Sequence, residues 1–144
     1  MGYIDDSTIA NNKVSIIPDG TIYQFGILTS NVHNAWMRCV AMRMKSDYSY
    51  SLQIVYNTFP WPTPTAEQKK KIEETAQAIL DARALYPDCS LADLYDEVAM
   101  PSELRKAHQA NDRAVMQAYG FDVKTMTESG CVAELMKLYQ QLIN

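Results

Sequence analysis

Glycine is scarce in this 144-residue sequence, and its occurrences are isolated from one another. The five glycines are Gly2, Gly20, Gly26, Gly120 and Gly130. Nucleotide-type cofactors are usually held by clustered glycines at a turn from a strand to a helix, where the backbone must approach a phosphate closely. The sequence therefore predicts no cofactor site and no complete catalytic centre.

Cysteine and histidine are also few. The three cysteines, Cys39, Cys89 and Cys131, are far apart and show no C-x-x-C spacing. The two histidines, His33 and His108, do not form the pair that would complete a zinc site. This pattern predicts three free, buried thiols, two structural histidines and no bound metal.

Long apolar runs and a positively charged leader are both absent. No run approaches the roughly 18 apolar residues that a membrane helix requires. The formal net charge of -4 gives no general attraction for a polyanion, so any contact with nucleic acid must come from a local patch. The composition, 47% hydrophobic, suits one globular domain or two small subdomains with a shared core. We expect a soluble, cytoplasmic protein with no membrane partner.

The N-terminal part of the sequence carries signals for a β-hairpin. Residues 14–17 and 21–25 are rich in β-branched and aromatic side chains, which favour strands. Between these two runs lie Pro18 and the turn dipeptide Asp19-Gly20. We expect the two runs to pair as antiparallel strands.

A helix signal and a second strand signal follow. Ser30 is a candidate N-cap for a helix with one apolar face, on which Trp36 should be buried. After Asp47 the side chains alternate between the two faces of a strand through Tyr56, which predicts a half-buried strand. This N-terminal part is therefore expected to be a small α+β unit.

Three alternating prolines, Pro60, Pro62 and Pro64, end the strand signal. Proline cannot donate to a strand ladder, and alternating prolines favour an extended, stiff connector. We place a domain boundary here, with residues 1–62 before it and residues 63–144 after it.

Beyond the connector almost every signal is helical. Candidate caps and stops occur at Thr65, Pro87, Ser90, Pro101, Gly120 and Thr127. The last segment carries a broad apolar stripe that is stable only when packed on neighbouring helices. The sequence predicts a mainly α protein in which a helical bundle follows a few strands and one helix.

Four polar residues of the helical part fall on or beside apolar helix faces. They are Arg83, His108, Asn111 and Asp112. Buried polar groups need hydrogen-bond partners, so we expect an internal network that joins them. A ligand site built from the same residues is the competing interpretation.

One stretch interleaves cations and aromatics, as contacts with phosphates and bases require. Its candidate DNA-binding residues are Arg38, Arg43, Lys45, Tyr48, Ser49, Tyr50 and Ser51. A structural interpretation stays open, because cations at a helix C-terminus complement the helix dipole and alternating tyrosines are ordinary strand residues.

Several motifs occur together in one order along nearly the whole chain. They are Phe25-Gly26-Ile27-Leu28-Thr29-Ser30, Arg43-x-Lys45-Ser46-Asp47-Tyr48-x-Tyr50-Ser51, Tyr56-Asn57-x-Phe59-Pro60-x-Pro62, Ile79-Leu80-Asp81-Ala82-Arg83, Ser90-Leu91-Ala92-Asp93-Leu94-Tyr95-Asp96, Met100-Pro101-x-Glu103-Leu104 and Ala107-His108-Gln109-Ala110-Asn111-Asp112. In this combination the chain resembles the C-terminal part of the large type II DNA methyltransferases called MmeI-like. Locally, residues 62–72 are also similar to type I specificity subunits, in which a proline-rich exit leads into a helix.

The resemblance implies that residues 1–62 are the end of a target-recognition domain and residues 63–144 a helical C-terminal domain. It also implies a parent enzyme that transfers a methyl group from S-adenosylmethionine to an adenine amino group of double-stranded DNA. Members with an N-terminal nuclease also cleave DNA. The methyltransferase domain would lie upstream, so this fragment would hold no cofactor itself.

A second function, from a different class, is a docking module that binds a methyltransferase or nuclease partner and never contacts DNA. From Thr63 onward the sequence has thirteen acidic and nine basic residues, a balance that favours docking for the helical part.

Overall fold

The computed structural model of the protein describes residues 20–42 and 56–143. Within these ranges the chain forms six helices: α1 (Ile22–Leu28), α2 (Asn31–Met42), α3 (Ala66–Ala84), α4 (Leu91–Leu94), α5 (Ser102–Tyr119) and α6 (Glu128–Ile143). The prediction of a mainly α protein is confirmed. The two ranges contain no strand, so the expected small α+β part is not supported. The predicted strand up to Tyr56 lies outside the described residues except for its last residue.

The second half of the predicted hairpin is a helix instead. The side chain of Thr21 accepts a hydrogen bond from the backbone N–H of Gln24, and the Gln24 side chain accepts one from the backbone of Thr21. This capping box starts α1, which then buries Phe25, Ile27 and Leu28. Reciprocal capping and burial on one face therefore outweigh the strand propensity of the individual residues. The first predicted strand, residues 14–17, lies outside the described residues.

The local signals for helix ends are confirmed where they were strongest. Ser30 accepts from the backbone N–H of His33, at 3.3 Å, at the start of α2. Thr65 and Ser90 both form capping boxes at the starts of α3 and α4. Gly120 ends α5 in the left-handed conformation with φ 80°, which glycine adopts without a steric penalty.

The core joins helices from both sides of the proline-rich connector. Helix α3 packs along α5, α1 packs on α3, and α2 packs against α6. One buried cluster consists of Ile27, Val32, Trp36, Phe59, Ile72, Ala114, Val115, Cys131 and Leu135. A second consists of Phe25, Ala76, Ile79, Ala82, Leu94, Leu104 and Ala107. The described residues before and after the connector therefore share their hydrophobic core.

Helix α1 approaches α3 closely at Gly26. A Cβ atom at this position would lie 2.8 Å from Cγ2 of Ile72 and 3.1 Å from Cβ of Ala76. Both neighbours are fully buried and have no space into which to move. The absence of a side chain at Gly26 thus sets the distance between the two helices.

We therefore expect Gly26→Ala to lower the free energy of unfolding by about 1–2 kcal/mol, because an added methyl group overpacks this contact. Thermal or urea unfolding measures the change. Gly130→Ala is a comparison within α6, where the nearest contacts are the Met126 sulfur and the Thr127 hydroxyl, both at 3.2 Å. A Gly26→Ala protein with an unchanged midpoint would contradict the close packing of α1 on α3.

The three cysteines are free, as predicted, but they are not all buried. Cys131 is buried in the core, Cys39 is partly buried on α2, and Cys89 is exposed between α3 and α4. The prediction of burial was wrong for Cys89 because residues 87–93 are all exposed, and only Tyr86, Leu94 and Met100 of this connection pack on the core. In the described ranges we find no helix with the length and apolar character needed to cross a membrane.

Candidate nucleic-acid interface

The candidate contact segment runs between two elements that the structure describes. Helix α2 ends at Met42, and the described chain resumes at Tyr56. Most of the candidate DNA-binding residues lie in the intervening residues 43–55, outside the described ranges: Arg43, Lys45, Tyr48, Ser49, Tyr50 and Ser51. The structure therefore shows the residues on either side of the segment, in α2 and from Tyr56 onward.

Arg38 is the one candidate contact residue on a described element, α2. Its Nε donates to Oε1 of Glu128 at 2.7 Å, and its terminal nitrogen contacts the same oxygen. The side chains remain 40% and 56% exposed. Since Glu128 lies in the first turn of α6, this ion pair ties α2 to α6. A phosphate that reached Arg38 would have to compete with the Glu128 carboxylate.

Aromatic rings of α2, α5 and α6 pack around the residues that follow the candidate segment. The Phe59 ring centroid lies 4.4 Å from that of His33, 6.4 Å from that of Trp36 and 5.6 Å from that of Trp61. The ring of Tyr139 on α6 lies 5.9 Å from Trp36. We call this set, together with Tyr119 of α5, the aromatic clamp. Edge-to-face contacts at such distances stabilise beyond the burial of area alone.

Two hydrogen bonds fix the backbone that passes through the aromatic clamp. Trp36 Nε1 donates to the Thr58 hydroxyl at 3.3 Å, and the Tyr119 hydroxyl donates to the Pro60 carbonyl at 2.7 Å. Burial raises the pKa of Tyr119 far above its usual value, so this hydroxyl stays a donor. Thr58 and Pro60, which follow the candidate segment, are therefore hydrogen-bonded to α2 and α5.

The predicted network of polar residues is present in part. Arg83 and His108 are joined to each other, whereas Asn111 and Asp112 bind other partners. Arg83 donates from Nε and a terminal nitrogen to the Tyr95 hydroxyl, at 3.0 and 2.8 Å. That hydroxyl contacts Nε2 of His108. Burial and the Arg83 charge lower the pKa of His108 to about 4, which favours the neutral ring. Since the Tyr95 hydroxyl already accepts from Arg83, its own hydrogen is left to be donated to Nε2 of neutral His108. Tyr95, which sequence analysis missed, is the residue that joins Arg83 to His108.

Asn111 and Asp112 serve separate contacts. The Asn111 side chain is fully buried, donates to the Gly26 carbonyl at 2.8 Å and accepts from the Thr75 hydroxyl at 3.0 Å. The Asp112 carboxylate accepts from the backbone N–H of Asn31, in the first turn of α2, at 2.9 Å. Both residues thus connect α5 to the N-terminal helices, as part of the fold.

The Asp112 contact makes stability depend on pH. Burial raises the pKa of Asp112 to about 6 from 3.8, although the Asn31 hydrogen bond acts in the opposite direction. The folded state therefore binds this proton more tightly than the unfolded state does. It follows that the free energy of unfolding contributed by this group decreases as pH rises from about 4 to about 6.

We expect the Asp112→Asn protein to lack this decrease. Urea unfolding of both proteins at several pH values between 4 and 7 isolates the contribution of Asp112, because His108 and all other groups are common to both. As pH rises across that window, the free energy of unfolding of the Asp112→Asn protein should increase relative to that of the unchanged protein. Parallel curves would show that Asp112 titrates alike in the folded and unfolded states.

Within residues 20–42 and 56–143, no cluster of three or more His, Cys, Asp or Glu residues is arranged to hold a metal ion. Two residues that contact the described ends of the candidate interface were missed by sequence analysis, Glu128 and Tyr119, and Tyr95 was missed in the polar network. An acidic residue in the first turn of a helix is an ordinary dipole signal, and it did not reveal that Glu128 pairs with Arg38, 90 positions away. No local pattern predicts such a pairing.

Comparison with known proteins identifies the family. The MmeI target recognition domain matches residues 1–63, and the MmeI C-terminal domain matches residues 64–144. A DNA methyltransferase A of Bacillus subtilis (strain 168) is 39% identical over 142 residues, which are 99% of this chain and 16% of that protein. A Type IIL restriction-modification enzyme MmeI, solved in complex with DNA, is 51% identical with a TM-score of 0.81, covering 88% of this chain and 17% of that one.

The chain therefore spans about one sixth of the length of these relatives. The family matches cover both the N-terminal residues and the helical residues, and the resemblance inferred from sequence motifs is confirmed. This chain belongs to the MmeI family, in which it corresponds to the target recognition and C-terminal domains.

Proposed function

We propose that this chain is the C-terminal part of a cytoplasmic DNA-modification enzyme and that it recognises and positions double-stranded DNA. In this proposal residues 1–62 end the target-recognition domain and residues 63–144 form the helical domain. The enzyme would be an adenine methyltransferase that uses S-adenosylmethionine, held in a domain upstream of this chain. The chain itself contributes recognition, and catalysis belongs to the upstream part.

The observation that carries this proposal is the anchoring of the described residues on either side of residues 43–55. The segment follows α2, which the Arg38–Glu128 ion pair ties to α6. The residues after it include Phe59, whose ring packs within the aromatic clamp, and Pro60, whose carbonyl accepts from the Tyr119 hydroxyl at 2.7 Å. A binding segment held on a rigid scaffold loses less conformational entropy when it meets its ligand.

The composition of residues 43–55 suits DNA. It contains Arg43 and Lys45 for phosphates or base edges and Tyr48 and Tyr50 for packing against sugars and bases. The net charge of -4 means that few phosphate contacts are made, so recognition depends on these few side chains. Arg43 is therefore the residue whose removal is most informative.

We expect Arg43→Ala to weaken DNA binding in the enzyme that contains this chain and to leave its melting temperature unchanged. If Arg43 contacts a phosphate, affinity falls equally for all sequences, and the slope of log K against log salt becomes shallower by about 0.9. If it reads a base edge, discrimination at one base pair falls by about 1–3 kcal/mol. Fluorescence anisotropy with a panel of duplexes at several salt concentrations distinguishes these cases.

Arg38→Ala is the comparison variant: it removes an equal charge from α2, and because Arg38 is already paired with Glu128, its effect on DNA affinity should be smaller than that of Arg43→Ala. Loss of the Glu128 ion pair should lower its melting temperature slightly, since exposed pairs contribute at most about 1 kcal/mol. An Arg43→Ala protein that melts earlier but binds DNA normally would assign Arg43 a structural role and end the DNA-contact proposal.

The upstream part of the proposal has its own test. If the genomic reading frame continues upstream into a glycine-rich cofactor loop and an Asn-Pro-Pro-aromatic motif, the chain is the end of a methyltransferase. A stop codon directly upstream would refute that part.

The second candidate function, a docking module, is favoured by one feature of the helical part. Four acidic residues and no basic residue occur in residues 85–101. Such a surface repels DNA and suits contact with a protein. The two functions are compatible when they use different surfaces of the same chain.

A further inference from the structure

The connection between α3 and α5, residues 85–101, exposes several large apolar side chains. Leu85, Leu91, Tyr95 and Val98 are 63%, 45%, 37% and 95% exposed. Single exposed apolar residues are ordinary in soluble proteins, but a concentration of them marks an interaction site. Elsewhere in the described ranges, only Leu142 and Ile143 near the end of α6 are large hydrophobic residues with such exposure.

Defined contacts hold the connection in place. Leu94 is buried in the core, 3% exposed, and Tyr95 is bound by Arg83. The Asp96 carboxylate accepts from the backbone N–H groups of Val98 and Ala99, at 2.9 and 3.2 Å. Val98 is therefore presented at the tip of an ordered turn. The apolar side chains stay exposed although the backbone that carries them is fixed.

The charged residues within the connection are all acidic, although Arg83 of α3 contacts Tyr95. The connection carries Asp88, Asp93, Asp96 and Glu97 but no lysine, arginine or histidine. The nearby Arg105 donates to the carbonyl of Glu97, at 3.2 Å, and does not pair with its carboxylate. We call this set of apolar and acidic side chains the acidic apolar surface.

Charge narrows the choice of partner for the acidic apolar surface. DNA would bring its phosphates against the carboxylates, which is unfavourable. A second copy of the chain, joined by a twofold axis, would place the same acidic surface against itself. A protein surface with apolar residues at its centre and basic residues at its rim would complement both features.

We propose that the acidic apolar surface docks onto a basic, apolar face of the methyltransferase region of the same polypeptide. This inference rests on the proposed function, which puts that region upstream of this chain. The relatives support the choice of an internal partner, since this chain accounts for only 16% and 17% of their lengths. A tethered partner also needs little interface area, because tethering raises its effective concentration to about the millimolar range.

Cys89 provides a probe inside the surface, because its thiol is free and exposed between Leu85 and Leu91. The test compares the rate of alkylation of Cys89 by iodoacetamide in the 144-residue chain and in the complete polypeptide from its own reading frame. We expect the rate to fall roughly tenfold or more in the complete polypeptide, because docking denies the reagent access. Buried Cys131 serves as an internal reference for unfolding.

A double variant links protection of Cys89 to the apolar side chains. In the complete polypeptide, Leu91→Ser with Val98→Ser should restore fast alkylation of Cys89. The matched control, Leu142→Ser with Ile143→Ser, removes similarly exposed apolar residues from α6 and should leave Cys89 protected. Both variants should keep the melting temperature of the 144-residue chain, since all four residues are exposed.

Three results would overturn the docking proposal. Equal alkylation rates in the chain and the complete polypeptide would show that the surface is uncovered. Protection that grows with concentration of the 144-residue chain would assign the surface to self-association, and protection only on addition of duplex DNA would assign it to DNA. In each case the proposed function survives if the reading frame encodes the methyltransferase region and Arg43→Ala weakens DNA binding. A reading frame without that region refutes both.

Discussion

Replacing Trp36 by alanine is expected to lower the free energy of unfolding by about 3–5 kcal/mol, the range for truncation of a large buried aromatic residue. Trp36 is 1% exposed, and its ring packs against Phe59 and Tyr139. Its removal leaves a cavity where α2, α6 and the connector meet. For a protein of this size, the melting temperature should fall by on the order of 10 °C.

The consequences of Trp36→Ala should extend to DNA binding, because Trp36 also donates to Thr58 at the exit of the candidate contact segment. Trp36→Phe keeps one aromatic ring but loses the indole N–H donor and part of the buried volume, so its cost should lie below that of Trp36→Ala. Trp61→Ala removes a partly buried ring of the same clamp and should cost less than Trp36→Ala. A Trp36→Ala protein with an unchanged melting temperature would mean that Trp36 does not support the core.

The second large effect is expected for Asn111→Ala, which should lower the free energy of unfolding by about 2–3 kcal/mol. The Asn111 amide donates to the carbonyl of Gly26, which lies in the last turn of α1, where carbonyls have no partner within the helix. Without Asn111 this buried carbonyl is left unsatisfied, at a cost of about 1–3 kcal/mol, and a small cavity adds to the loss.

A double-mutant cycle separates the contacts of Asn111. Thr75→Val removes the hydroxyl that donates to Asn111 and keeps the shape of the side chain. We expect it to cost less than Asn111→Ala and to be non-additive with it, because both changes act on one buried hydrogen bond. Additive effects would show that the Thr75 hydroxyl bonds mainly to the Ile72 carbonyl, its other acceptor at 3.0 Å.

Local signals were enough to predict most helix ends. The capping boxes at Thr65 and Ser90 and the left-handed Gly120 involve residues within about one turn of each other. Such signals operate before any tertiary contact is made, so they can be read from sequence. The same kind of signal, Thr21 with Gln24, was present at α1, but only the strand propensity of residues 21–25 was considered there.

For the interface, family motifs indicated the function more directly than charge or periodicity did. Composition alone left DNA contact and ordinary structure as open alternatives for the cationic and aromatic stretch. The ordered combination of motifs pointed to the MmeI family, which the domain matches confirm. An ordered combination of motifs is specific to one family, whereas a single basic helix end occurs in many unrelated proteins.

The sequence by itself determined the helical part of this protein, its principal caps, the burial of Trp36 and its family, because periodicity and capping depend on residues three or four positions apart. Only the tertiary structure decided which distant groups meet. Arg38 pairs with Glu128, Tyr95 joins Arg83 to His108, and Asn111 satisfies the Gly26 carbonyl 85 positions away. These partners are chosen by how helices pack, and packing depends on the shapes of all the buried side chains together.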